Sequence, residues 1–224
     1  MSAPSRPPRR WHELSRWWLM LYYVFLLGML FAFAVFAERV YNARAFAFDE
    51  QILTWMYEQQ TPALDFAALF LNYATISYAL GGILFIFTLV LWRRYRRSLV
   101  FLNLSLWGAV GINLIAKAFF ERVRPDLFEQ LTPITNSSFP SGHAMGSLAL
   151  ALGGVFVLEQ HGGRYKHLWS VIIVVIALLV GVSRSYLQVH YPSDVLAAWA
   201  LSTAWVMGVG GWYSHGYRAD SVED

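Results

Sequence analysis

Residues 168–189 read LWSVIIVVIALLVGVSRSYLQV. The first fifteen carry no charge, and the length suits a helix crossing roughly 30 Å of hydrocarbon. The stretch then closes on Ser183-Arg184, which puts a cation at membrane depth. The same template of about 20 mostly apolar residues recurs at 17–37, 69–92, 99–120, 141–160 and 193–213. Six spans are therefore predicted, and the expected fold class is all-α, an integral membrane bundle of six transmembrane helices.

Composition agrees, with 57% hydrophobic, 17% aromatic and only 14% charged residues, against roughly 25% charged in a soluble domain. No Pro/Gly/Ser-rich linker or composition shift divides the 224 residues, so 1–224 is read as a single domain. It comprises a basic cytoplasmic tail at 1–16, an outer segment at 38–65, a motif-bearing core at 117–194 and a polar cytoplasmic tail at 214–224. With no cysteine, disulfides, thiolate metal sites and cysteine nucleophiles are excluded. The net charge of +3 and pI near 9.2 come from short basic clusters beside apolar runs, not from one stripe. The expected partner is thus the lipid bilayer and not nucleic acid.

Two segments admit more than one reading. Residues 49–60 set Ile52, Leu53, Trp55, Met56 and Tyr57 among acidic and amide residues, which fits a short interfacial helix or a plain connecting loop. Ala32-Phe33-Ala34 resembles a signal-cleavage site, but the apolar run around it is longer than about 15 residues, and the span is read as retained. Lys and Arg divide eleven to six between alternate sides of the spans. Basic residues at span ends favour the cytoplasm, so both termini are expected there. The ends of spans three and five and the starts of four and six then face outward.

Three clusters fall on that outer side. Lys117 and Arg124 stand seven residues apart, about two helical turns, and can project from one face; each can equally be an interfacial anchor. Ser137-Ser138-Phe139-Pro140-Ser141-Gly142-His143 reads as a helix start with a serine cap and a proline in the first turn. The amides of Ser141, Gly142 and His143 there suit a phosphate, although a plain cap beside an interfacial His143 fits as well. The third cluster is Ser183-Arg184, His190 and Asp194. Arg184 can grip phosphate oxygens, His190 can offer a ring nitrogen as nucleophile, and Asp194 can fix its tautomer; an interfacial ion-pair patch is the bland alternative. Charged groups at membrane depth are costly and usually functional, so the coincidence of all three clusters favours phosphoryl transfer.

Lys117 with Arg124-Pro125, then Pro140-Ser141-Gly142-His143, then Ser183-Arg184, His190 and Asp194 match in residue and spacing the pattern of the type-2 phosphatidic acid phosphatase superfamily, the lipid phosphate phosphatases. The chain resembles the small bacterial six-span members. That resemblance implies that Lys117, Arg124, Arg184, Ser141 and the Gly142 amide hold the phosphoryl oxygens while His190 attacks phosphorus. Asp194 would orient His190, and His143 would serve as general acid and base. It also implies no metal and no cofactor, and a lipid phosphate as substrate: undecaprenyl diphosphate, phosphatidylglycerol phosphate or phosphatidic acid. The implied location is a bacterial inner (plasma) membrane, with the site on the periplasmic face. The same phospho-histidine also suits a phosphotransferase, and a transporter or scaffold is the reading from another class. His190 is expected at a solvated position, so its replacement should stop turnover without unfolding the chain.

Overall fold

Hydrocarbon offers backbone N–H and C=O groups no partner, so the apolar stretches must bond within themselves as helices. The computed structural model describes residues 16–43, 46–75, 77–132 and 134–220. Among them the elements are α1 (Arg16–Tyr41), α2 (Ala47–Glu58), α3 (Pro62–Ala74), α4 (Ser77–Phe120), α5 (Gly142–His161), α6 (Lys166–Tyr186) and α7 (Pro192–Asp220), with no strand. Among the described residues four helical stretches are long and apolar enough to cross a membrane: Trp17–Tyr41, Ala79–Phe120, Gly142–His161 and Lys166–Tyr186. At 1.5 Å per residue, the 44 residues of α4 would reach about 66 Å, over twice the hydrocarbon thickness. It does not run straight. Tyr95 leaves helical geometry at φ −128°, ψ 27°, between the stretches 69–92 and 99–120 that were read as separate spans.

One expectation needs correcting. The run at 69–92 is not one span, because α3 stops at Ala74 and α4 begins at Ser77. Thr75 is the cap that closes α3, leaving helical geometry at φ −116°, ψ 14° while its N–H and hydroxyl both donate to the Leu71 carbonyl. The outer segment is mostly helical, holding the end of α1, all of α2 and the start of α3. The C-terminal tail expected from 214 is also helical as far as Asp220. The basic tail at 1–15 and residues 221–224 lie outside the described residues.

The core forms where the second half of α4 meets α5 and α7, around Phe101, Met145, Ala149, Ala198, Val206 and Tyr213. Small residues let these helices close up, as in membrane packing generally. A Cβ on Gly108 would lie 2.2 Å from the Trp205 ring, and one on Gly181 2.5 Å from Trp199. The outer faces remain apolar, with Trp17, Phe31, Phe85 and Val171 all exposed, as lipid-facing residues should be.

Helix ends sort onto two ends of the bundle. At one, Val40, Phe46, Phe139 and Ala197 cluster with Phe36 and Phe120, so α1 finishes where α5 and α7 begin. At the other, Ser98 Oγ lies 3.0 Å from His161 Nε2 and 2.8 Å from the Tyr213 hydroxyl, joining the break in α4 to the ends of α5 and α7. Between α4, α5 and α6 an apolar cavity of about 610 Å³ runs from Thr75 toward Tyr95, Ser98 and His161.

Candidate active site

All three clusters meet at the first of these ends. His190 follows α6 in a tight turn: Gln188 takes a positive φ of 61°, and Val189 N–H donates to the Arg184 carbonyl at 3.2 Å. Pro192 then opens α7, as a residue without an N–H can in a first turn, and carries Asp194 beneath the histidine. His190 Nδ1 lies 3.4 Å from Asp194 Oδ2, while Nε2 lies 3.2 Å from an Arg124 terminal nitrogen. His190 is buried, not solvated as expected, with 2% exposure. Burial first, then Arg124, Arg184, Lys117 and His143, holds its imidazole well below the usual histidine range. The ring is therefore neutral near pH 7, with a lone pair on the nitrogen that does not face Asp194.

The cations do different things. Arg184 is fully buried; one terminal nitrogen donates to Asn72 Oδ1 on α3, while Nε and the other terminal nitrogen find no protein partner. Arg124 instead spends its donors on Asn136 O at 2.7 Å, Asn136 Oδ1 at 2.6 Å and the Ser137 and Val189 carbonyls. It clamps the loop before α5 to the His190 turn. Burial lowers its pKa to about 10, which leaves it charged at neutral pH. Lys117 donates to the Ser137 carbonyl, so it braces the same loop.

The turn into α5 departs from expectation. Ser141 is the cap residue, but its side chain makes no capping bond, and its N–H donates to the Asp194 carbonyl at 3.2 Å. The expected nest of three amides is reduced to those of Gly142 and His143, and Pro140 precedes the helix instead of sitting in its first turn. In exchange Ser141 Oγ is buried without a protein partner, as is His143 Nε2. Buried polar atoms are normally bonded. The unpartnered atoms of Ser141, His143 and Arg184 therefore mark one wall of the site as built to receive a hydrogen-bonding guest.

Sequence reading missed four polar residues here. Arg122 donates to Asp194 Oδ1 at 2.5 Å, to Ser193 Oγ at 2.8 Å and to Asp49 Oδ2 at 3.0 Å, with its guanidinium carbon 4.1 Å from the Tyr191 ring centroid. Asp49, on α2, also accepts from the Ser193 N–H at 2.8 Å and hydroxyl at 2.6 Å. Asn72 and Asn136 hold Arg184 and Arg124 as described. An acidic residue in the first turn of an amphipathic segment was the only available signal for Asp49. Among the described residues no group of three or more His, Asp or Glu side chains is placed to hold a metal. The charges gathered here set half-buried Lys117 and Arg122 and buried Arg124 and Arg184 against buried Asp49 and Asp194, an excess suited to an anion.

Known proteins resemble this chain in sequence and fold. Residues 98–218, more than half of the chain, match the family model of the PAP2 superfamily. Over 93 residues the chain is 40% identical to phosphatidylglycerophosphatase B of Bacillus subtilis (strain 168), a match covering 40% of this chain and 45% of that relative. Over 190 residues it is 26% identical to an undecaprenyl-diphosphatase of Sulfolobus acidocaldarius, covering 83% and 87% respectively. The fold matches the crystal structure of a transmembrane PAP2-type phosphatidylglycerolphosphate phosphatase from Bacillus subtilis with a TM-score of 0.75 and 26% identity, over 84% of this chain and 94% of that one. Motifs, helical architecture and family match converge, and the chain belongs to the PAP2 superfamily.

Proposed function

We propose that this chain is a membrane hydrolase that removes phosphate from a lipid phosphate or diphosphate, without a metal, through a phospho-histidine on His190 Nε2. One observation carries the reading: a buried neutral His190, backed by Asp194, presents Nε2 beside Arg124 in a site where Ser141, His143 and Arg184 hold unpartnered buried atoms. The Nε2 lone pair attacks phosphorus, and the bond from phosphorus to the leaving oxygen breaks. His143 gives that oxygen its proton. In the second step His143 takes a proton from water, the water oxygen attacks phosphorus, and the P–N bond breaks to release phosphate and neutral His190. Arg184, the Ser141 hydroxyl and the Gly142 amide hold the phosphoryl oxygens, with Lys117 and Arg124 adding positive charge. Asp194 accepts a hydrogen bond from the Nδ1–H and favours the cationic ring that forms when Nε2 is phosphorylated.

The lipid nature of the substrate is supported by the apolar cavity beginning at Thr75, three residues from the Asn72 that holds Arg184. Undecaprenyl diphosphate and phosphatidylglycerol phosphate are the first substrates to test, since relatives carry the names of enzymes acting on them. We further propose six membrane crossings, counting α4 as two about Tyr95 and adding α7. The site would face the outside of the plasma membrane with both termini inside, because Arg93, Arg94, Arg96, Arg97, Arg164 and Lys166 gather at the opposite end. The test is phosphate release by detergent-purified wild type and His190→Ala across undecaprenyl diphosphate, phosphatidylglycerol phosphate, phosphatidic acid and a sugar phosphate. Release from a lipid by wild type alone supports the reading. No release from any of the four shifts it to a phosphotransferase or a non-catalytic membrane protein.

A further inference from the structure

Asp194 is fully buried, and a buried carboxylate stays charged only when paired and hydrogen-bonded. Its Oδ2 serves His190 Nδ1 and the Tyr191 N–H at 3.0 Å; its Oδ1 is held by Arg122. Arg122 alone would cancel the negative charge just where a cationic imidazole must later be stabilised. A second carboxylate changes that balance. Asp49 binds the other arm of the same guanidinium at 3.0 Å, so two carboxylates share one cation and the group keeps one net negative charge beside His190. Asp49 also takes both the N–H and the hydroxyl of Ser193, fixing the turn on which Asp194 rides. Its helix is anchored at a second point, where Gln188 Nε2 donates to the Leu53 carbonyl at 3.1 Å.

We propose that Asp49 and Arg122 are positioning residues of the phosphatase site, aiming Asp194 at His190 and keeping its negative field uncancelled. The inference rests on the reading of His190 as nucleophile. Neither residue is among the matched motif positions, and Asp49 lies outside the 98–218 family match. Arginine is needed because only a planar fork can bond two carboxylates at once while stacking on a ring; here that ring is Tyr191. The groups facing His190 are Lys117 on α4, Arg124 in the loop before α5, His143 on α5, Arg184 on α6 and Asp194 on α7. Asp49 and Arg122 act through the last of these.

The test compares Asp49→Asn and Arg122→Lys with wild type and His190→Ala, assayed as phosphate release from phosphatidylglycerol phosphate and undecaprenyl diphosphate in detergent micelles, per mole of folded protein. Asp49→Asn keeps the shape and removes one charge. It is expected to lower kcat roughly tenfold to a hundredfold, the effect of a lost charge-assisted contact, with KM within about twofold. Losing a negative charge near His190 also makes the ring harder to protonate, so the acid limb of the pH–rate profile should move to lower pH. Arg122→Lys keeps the charge and loses the fork, and the same drop in kcat is expected. A purely structural tie would lower the melting temperature and leave kcat and the pH profile of folded protein at wild-type values, which overturns the proposal. Failure of both variants to fold overturns it too, since the pair would then be a clamp for α2. If His190→Ala remains active, the reading of the nucleophile falls; if it is inactive while Asp49→Asn equals wild type, only this inference falls.

Discussion

The two ends of the bundle use nearly the same residue types. At one, Ser98, His161, Tyr213 and Arg97 gather; at the other, Ser141, His143, His190, Tyr191 and several arginines. Their bonding differs. Ser98 lies in hydrogen-bonding reach of both His161 and Tyr213, the Tyr95 ring stands edge-on to His161, and the Arg97 guanidinium lies 6.0 Å from the Tyr213 ring centroid. That cluster ties the turn of α4 to two other helices. At the opposite end Ser141 Oγ, His143 Nε2 and two Arg184 nitrogens have no protein partner, while Asp194 and Arg124 beside them are fully bonded. A serine and a histidine thus make a site or a rivet according to whether their donors and acceptors are already used. Rigid, satisfied groups hold the unsatisfied ones in place, which is the preorganisation that electrostatic catalysis requires.

Replacing residues at the two ends should therefore separate activity from stability. The largest effect is expected from His190→Ala, where loss of a nucleophile should cost at least about 10⁴-fold in kcat, read by phosphate release with folding checked by thermal melting. The pH dependence of wild type follows from the same residue. An unfolded chain takes up a proton near pH 6.5 that folded His190 refuses, so its contribution to stability is present above pH 6.5 and is lost as pH falls through the lower folded pKa. The rate needs the neutral ring, and its acid limb should accordingly lie below pH 6.5. A limb above that value would contradict the buried, cation-crowded setting of His190. Next in size is Arg184→Ala, expected to cost roughly a hundredfold to a thousandfold. Arg184→Lys should recover little, because a point charge cannot bond Asn72 and a phosphoryl group together with fork geometry.

The motif residues that meet at the candidate site were legible because each carries its chemistry in its own side chain at a spacing that helices preserve. Their supports were not. Arg122 and Arg124 are indistinguishable cations two residues apart, and only tertiary contact sends one to the carboxylates of Asp49 and Asp194 and the other to the carbonyls of Ser137 and Val189. Asp49 and Asn72 act across 144 and 112 residues respectively. Long apolar helices were readable from apolar length, but the break between α3 and α4 was not, since 69–92 carries no charge throughout. α3 ends at Thr75, which leaves helical geometry at φ −116°, ψ 14°, with Asn72 bonded to Arg184. The amide nest was overcounted for a similar reason: the Asp194 carbonyl that takes the Ser141 N–H lies 53 residues further along the chain.

Smaller effects sharpen the contrast further. Ser141→Ala is expected to lower kcat roughly tenfold by removing one hydrogen bond to the transferring group. It should leave the melting temperature unchanged, although losing a serine at a cap position ordinarily costs about 1 kcal/mol, because Ser141 Oγ caps nothing. A clear drop in stability would show that the hydroxyl serves the helix after all. The smallest effect on activity is expected from Ser98→Ala at the far end. Ser98 is buried, at 4% exposure, and its removal strips a partner from both His161 and Tyr213. Such a loss should destabilise the fold by about 1–3 kcal/mol, measured by thermal unfolding in one detergent, with kcat within about twofold of wild type. The separation holds only if the break at Tyr95 does not communicate with the site through α4, which runs uninterrupted from Arg96 to Lys117. A large fall in kcat in folded Ser98→Ala would mean that the far end sets the position of Lys117, and the bundle would have to be treated as one coupled machine instead of a catalytic end on a structural base.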